Sequence, residues 1–177
     1  MKVSVYIAAS VDGFIAEANG GIEWLHAAQY QIPGEDFGYA DFISGVDCLV
    51  MGRNTFEKVL EFDSWPFTGK RVIVLSSTLQ SLPAAVVAEL TAEAPQDLVQ
   101  RLRAEGVKKI YLDGGKTIQG FLRAQLVTEM TITSIPLLLG SGLPLFADLP
   151  AKMGLRLVHS QSYSNGFVQN RWELAVS

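Results

Sequence analysis

Three short apolar runs each stop at small or glycine residues: CLVM (48–51) before Gly52, RVIVL (71–75) before Ser76-Ser77, and KIYL (109–112) before Asp113-Gly114-Gly115. A strand with one wet face alternates apolar and polar residues. A run without alternation is buried on both faces, as in a parallel sheet covered by helices. Stretches of helical spacing lie between the runs, so the chain reads as α/β with a mostly parallel central sheet. In open sheets of this kind, ligands bind in the crevice outside the carboxyl ends of the strands. Three such ends in this order suggest one long phosphate-bearing ligand across them: a dinucleotide, and with it an oxidoreductase.

The rest of the chain fits that frame. Residues 3–9 read as a first buried strand, Asp12-Gly13 as a turn, and Phe14-Ile15-Ala16 as a short apolar run. Beyond the Asn19-Gly20-Gly21 loop, EDFGYADFISG predicts a short helix ending at Gly45. Asn54 is expected to start a second helix, with Glu57 three residues later, an Asn variant of the capping box. A third helix is expected over 94–105 with Pro95 early and Gly106 as its stop, and a fourth over 117–126. Residues 129–136 alternate as a strand. LLLGSGLPLF (137–146) reads as a loop, since its glycines and Pro144 deny it a helix. The tail, 155–176, predicts an antiparallel hairpin turning at Asn165-Gly166 in a type I′ turn.

A chain of 177 residues, 49% hydrophobic and 18% charged, is expected to form one domain over 1–177 with a well-filled core. A net charge of −4 argues against non-specific nucleic-acid binding. Cys48 is the sole cysteine and sits in an apolar run, so it reads as a buried thiol. His26 and His159 are isolated, and no metal site is expected. With no signal-peptide pattern and no apolar stretch long enough to span a bilayer, a cytoplasmic protein with no membrane partner is expected.

The strand ends carry the chemistry. Gly52-Arg53-Asn54-Thr55 would let backbone approach a phosphate, point helix N–H groups at it and add a charge-assisted arginine contact. Ser76-Ser77-Thr78 offers hydroxyls and no acid; an acid there would suit the ribose of NAD, whereas cations and hydroxyls suit a 2′-phosphate. Asp113-Gly114-Gly115-Lys116-Thr117 permits a backbone curve around a pyrophosphate. Each also reads, taken singly, as an ordinary turn.

The segments IAASVDGFIA, VMGRNTFEKVL, VIVLSS and IYLDGGKTI resemble, in order, those of the dihydrofolate reductase superfamily. IPLLLGSGLPLF and the hairpin after it are more similar to the reductase domain of the bifunctional riboflavin-biosynthesis deaminase-reductase and its stand-alone relatives. The resemblance implies a dihydrofolate-reductase-like three-layer fold, with helices flanking the sheet and the C-terminal hairpin antiparallel. It also implies NADPH as hydride donor. Ala8, Ala9 and Ile15 would border the nicotinamide, and Gly52, Arg53, Asn54 and Thr55 would hold the pyrophosphate and 2′-phosphate. Leu75, Ser76 and Ser77 would line the adenosine side; Gly114, Gly115, Lys116, Thr117 and Ile118 would wrap the pyrophosphate and nicotinamide ribose. A homodimer through the C-terminal region is implied as well.

The resemblance is thinner on the substrate side. A folate reductase carries one acid near the start of its first helix. Glu35, Asp36 and Asp41 stand in the matching region, and Asp36 is the candidate catalytic acid, with partial burial expected to raise its pKa; a capping role for it stays open. Asp12 reads as a turn former. Trp24 reads either as a lid over the nicotinamide or as a packed loop aromatic. No zinc pattern for a deaminase is visible, so a stand-alone reductase acting on a pyrimidine or pterin-like small molecule is expected. A true dihydrofolate reductase and a non-catalytic NADPH-binding protein are the alternatives.

Overall fold

The structure, a computed structural model, describes residues 1–175. Eight strands form one sheet. In chain order they are β1 (Lys2–Ser10), β3 (Cys48–Gly52), β4 (Arg71–Leu75), β5 (Glu89–Thr91), β6 (Lys109–Asp113), β7 (Glu129–Ile135), β9 (Leu155–Ser162) and β10 (Val168–Leu174). Two short strands, β2 (Phe14–Ala16) and β8 (Leu143–Pro144), pair separately. Across the main sheet the order is β5-β4-β3-β6-β1-β7-β10-β9. The six strands from β5 to β7 run parallel, and β10 joins β7 and β9 antiparallel. The expected mostly parallel sheet with an antiparallel C-terminal hairpin is what forms.

Alternation along the buried strands separates two layers of helices. Cys48, Val50, Ile73, Ile110 and Leu112 face α3 (Pro95–Ala104) and α4 (Gly115–Arg123), meeting Leu98, Leu102, Ile118 and Phe121. Leu49, Met51, Val72 and Val74 face the opposite side, where Phe42 of α1 (Tyr39–Ser44) and Phe56 of α2 (Arg53–Val59) pack. Neighbouring side chains along a strand point to opposite faces, so the unbroken apolar runs serve both layers at once. Burial pushes the Cys48 thiol up to about 12, in keeping with a structural cysteine.

Several local expectations are corrected. Helix α2 begins at Arg53, with Gly52 in the cap position and no side-chain cap, so Asn54 lies inside the first turn instead of capping it. Strand β3 passes straight into the helix and leaves no room for a box; Glu57 pairs loosely with Arg53 at 3.9 Å. Helix α4 starts at Gly115, two residues before Thr117. It closes at Ala124, because Gln125 takes a left-handed φ of 57° and ends the turn. In the hairpin only Gly166 of the Asn165-Gly166 pair has positive φ, +85°, whereas a type I′ turn needs both. The loop closes instead through Gly166 N–H donating to the Tyr163 carbonyl, 3.0 Å, a three-residue connection with glycine in the left-handed position. The expected end of this hairpin at Val176 lies outside the described residues.

Candidate active site

A cleft of about 1330 Å³ runs across the carboxyl ends of β5, β4, β3, β6 and β1. Four strand-to-strand steps of about 4.8 Å make it about 19 Å long, which suits an extended dinucleotide. Its walls are built where the sequence places small residues. Gly114 caps α4 with φ +89°, and a Cβ there would run into Thr55 Oγ1 on α2. A Cβ on Gly52 would lie 3.0 Å from Thr117 Oγ1, and one on Gly115 2.9 Å from Ile15 Cδ1. The β3–α2 and β6–α4 junctions are thus pressed together through glycine, and the N-termini of both helices open into the cleft. Arg53 and Lys116 stand exposed beside those termini. At the β4 end Ser76 Oγ accepts the N–H groups of Thr78 (3.2 Å) and Leu79 (2.9 Å), fixing its own turn and leaving the Ser77 side chain exposed.

Of the residues expected to bind cofactor, Ala8, Ile15, Gly52, Arg53, Asn54, Thr55, Leu75, Ser76, Ser77, Gly114, Gly115, Lys116 and Thr117 line this one cleft. Ala9 and Ile118 do not; both are buried in the core on the α3–α4 side. Trp24 packs in a loop cluster with Phe37 and Leu137, away from the cleft wall, and its indole N–H is buried without a hydrogen-bond partner. Asp12 accepts from Ser10 Oγ (2.6 Å) and from the N–H groups of Leu139 (3.1 Å) and Gly140 (2.7 Å). It therefore ties the β1–β2 turn to the 137–146 loop. The same loop is held by Gln119, whose amide donates to the Pro144 carbonyl at 2.8 Å, and by the pairing of β2 with β8.

The expectation of partial burial at Asp36 is reversed. Its carboxylate is exposed and accepts the N–H groups of Ala40 (2.8 Å) and Gly38 (2.9 Å), which hold its pKa below the usual carboxylate value. It caps the start of α1 and does not line the cleft. Among the acids that do line it is Asp113, the last residue of β6, half-buried and in register with Met51 of β3. Burial pushes its carboxyl up to about 6, against the opposing hydrogen bond from the Gly114 N–H. Tyr39 and Tyr111 line the cleft close enough for the Asp113 charge to act on them. Tyr111 donates to the Tyr6 carbonyl at 3.1 Å. The Tyr6 hydroxyl, pushed by burial up to about 12, donates to the Phe37 carbonyl, where the Gln169 amide also donates at 3.0 Å. This buried network fixes the strained Phe37 (φ 59°) and, through it, the entry to α1 and Tyr39. Asp113 stands inside a segment read as a glycine turn. Its signal was an acid closing an apolar strand, which is unusual at the centre of a sheet.

Residues 1–169 match the family model for the RibD C-terminal domain. The chain belongs to the RibD C-terminal domain family. It is 34% identical over 165 residues to the uncharacterized protein YwjB of Bacillus subtilis (strain 168), covering 92% of each. Its fold superposes with a TM-score of 0.93 on the crystal structure of a putative riboflavin biosynthesis protein from Shewanella sp. PV-4, at 38% identity, covering 99% of this chain and 100% of that one. A diaminohydroxyphosphoribosylaminopyrimidine deaminase/5-amino-6-(5-phosphoribosylamino)uracil reductase from Thermotoga maritima shares the fold with a TM-score of 0.72 at 13% identity; the match covers 98% of this chain and 56% of that one. The resemblance to stand-alone members of the riboflavin-type branch is therefore borne out. Among the described residues no group of His, Cys, Asp and Glu side chains could hold a metal ion, and no helix is long and apolar enough to cross a membrane.

Proposed function

We propose that this RibD-family domain is an NADPH-dependent reductase that delivers a hydride to a small heterocyclic or ribosyl substrate, in the manner of the uracil reductases of riboflavin biosynthesis. The observation that carries the reading is the single cleft joining two glycine-lined helix N-termini, flanked by Arg53 and Lys116, to an acid at the end of β6. The cofactor fits the residues present: the space at Gly114 and Gly115 that a Cβ would fill admits a backbone-bound pyrophosphate, and Arg53 with Ser77 suits a 2′-phosphate better than a ribose diol. When bound, the reduced nicotinamide supplies the hydride. Arg53, Asn54 and Thr55 on α2 and Gly114 to Thr117 on α4 hold the phosphates, while Ala8 and Ile15 give an apolar wall that keeps water from the reacting face.

Asp113 takes the role expected of Asp36. With a pKa of about 6 its carboxyl keeps a proton through mildly acidic pH, and it lies inside the cleft where a proton can be handed to the substrate atom developing negative charge. Tyr39, set by the Tyr6–Gln169 network, stands beside it to orient that substrate. A homodimer is part of the same proposal, supported by the free edge of β9 with Leu155 and Leu157 exposed. Calorimetric titration with NADPH and NADH tests the central claim. A preference for NADPH of about tenfold or more is expected from a charge-assisted phosphate contact. No NADPH binding, or equal affinity for the two, refutes it.

A further inference from the structure

Resting on the reading above, we infer that the substrate half of the cleft accepts a planar hydrogen-bonding heterocycle that carries no phosphate. Among the described residues three cations line the cleft: Arg53, Lys58 and Lys116. Arg53 and Lys116 flank the glycine junctions and belong to the cofactor end. That leaves Lys58, on the second turn of α2, as the remaining cation for an anionic substrate. Its ammonium donates to Glu61 at 2.8 Å and has Glu23 near enough to act on it. Lys58 thus already has carboxylate partners of its own.

The rest of that end points the same way. Glu61 lines it beside Lys58, so a phosphate entering there would meet a carboxylate and no unpaired cation among the described residues. The walls are apolar and partly aromatic, with Ile7, Ile22, Leu25, Tyr39 and Phe62 facing the cleft. Such surfaces stack or sandwich a flat ring, and the Asp113 carboxyl with the tyrosine hydroxyls would read its polar edge. A ring of this kind enters without the free cations that a phosphoribosyl group needs.

The test is calorimetry on the intact protein saturated with NADP⁺, so that the phosphate cradle is filled. The probes are 5-nitro-6-ribitylaminouracil and its 5′-phosphate. The unphosphorylated probe is expected to bind more tightly, by about three- to tenfold, because the added phosphate faces like charge. Glu61→Gln, an exposed substitution that releases Lys58, is expected to tighten the phosphate probe selectively by about tenfold. A wild-type preference for the phosphate probe overturns the inference, as does failure of both probes to bind up to about 1 mM. Equal effects of Glu61→Gln on both probes also count against it. Cofactor affinity is titrated separately: loss there refutes the NADPH reading, whereas the probe ratio alone judges the substrate.

Discussion

Asp113→Asn separates the stability role of this acid from its chemical one. The carboxyl moves from an ordinary 3.8 to about 6 on folding because burial disfavours its charge. That difference corresponds to about 3 kcal/mol between the two protonation states. Below about pH 3.8 the group is neutral in both folded and unfolded chains and costs nothing. Between about 3.8 and 6 the unfolded chain releases the proton that the folded chain keeps, so stability falls as pH rises. Above about 6 the whole penalty is in place. The substituted amide would stay neutral throughout and could still accept the Gly114 N–H through its oxygen. Urea denaturation should therefore show the variant more stable by up to about 3 kcal/mol at pH 8, and no more stable than wild type at pH 4. The same variant should lose about 10²–10⁴-fold in kcat, and the wild-type rate should decline as pH rises through about 6, since the proton donor is then lost. Equal stability changes at both pH values would refute the burial argument, and a wild-type rate flat from about pH 5 to 8 would refute the proton-donor role.

Three further outcomes follow from the cleft walls. Gly114→Ala forces a side chain into φ +89° and onto Thr55, so thermal denaturation should report a loss of at least about 1–3 kcal/mol, with NADPH affinity falling in parallel. Arg53→Ala should weaken NADPH by about 1.5–3 kcal/mol in calorimetry and spare NADH; an equal loss for both cofactors would place Arg53 away from the 2′-phosphate. Asp12→Asn should loosen the 137–146 loop, read as faster protease cleavage near Gly140. In the wild type, Ser10 and the loop N–H groups hold the Asp12 pKa low, so this latch contributes above the ordinary carboxylate pKa and is lost as pH falls through the lowered one.

Local chemistry explains which parts of this fold were legible. The runs at 48–51, 71–75 and 109–112 have no wet face, and only a covered parallel sheet satisfies that. Pro95 and Gly106 bracket α3 as expected. What escaped was settled by neighbours. Strand β5 is three half-buried residues held by pairing with β4, and its Glu89 is gripped by Arg71 and Arg101. Strand β8 is a two-residue pairing against β2, in a segment whose glycines and proline argue for a loop. Both are too short for periodicity to register.

The site divides along the same line. The half proposed for the cofactor is encoded where glycine or hydroxyl residues must sit for two backbone segments to approach, and that requirement is visible within a few residues of sequence. The half proposed for the substrate is assembled from β1, the 22–25 turn, α1, α2 and the end of β6, which meet only because β6 inserts between β3 and β1. Asp36 and Asp113 show the consequence. Both are acids just ahead of a helix, Asp36 two residues before Gly38 and Asp113 directly before Gly114. Asp36 spends its carboxylate on two exposed N–H groups, so its charge is stabilised and it stays ionised. Asp113 ends a central strand with one N–H partner, and burial penalises its charge, so it keeps its proton up to about pH 6. No spacing rule distinguishes the two; the strand order does.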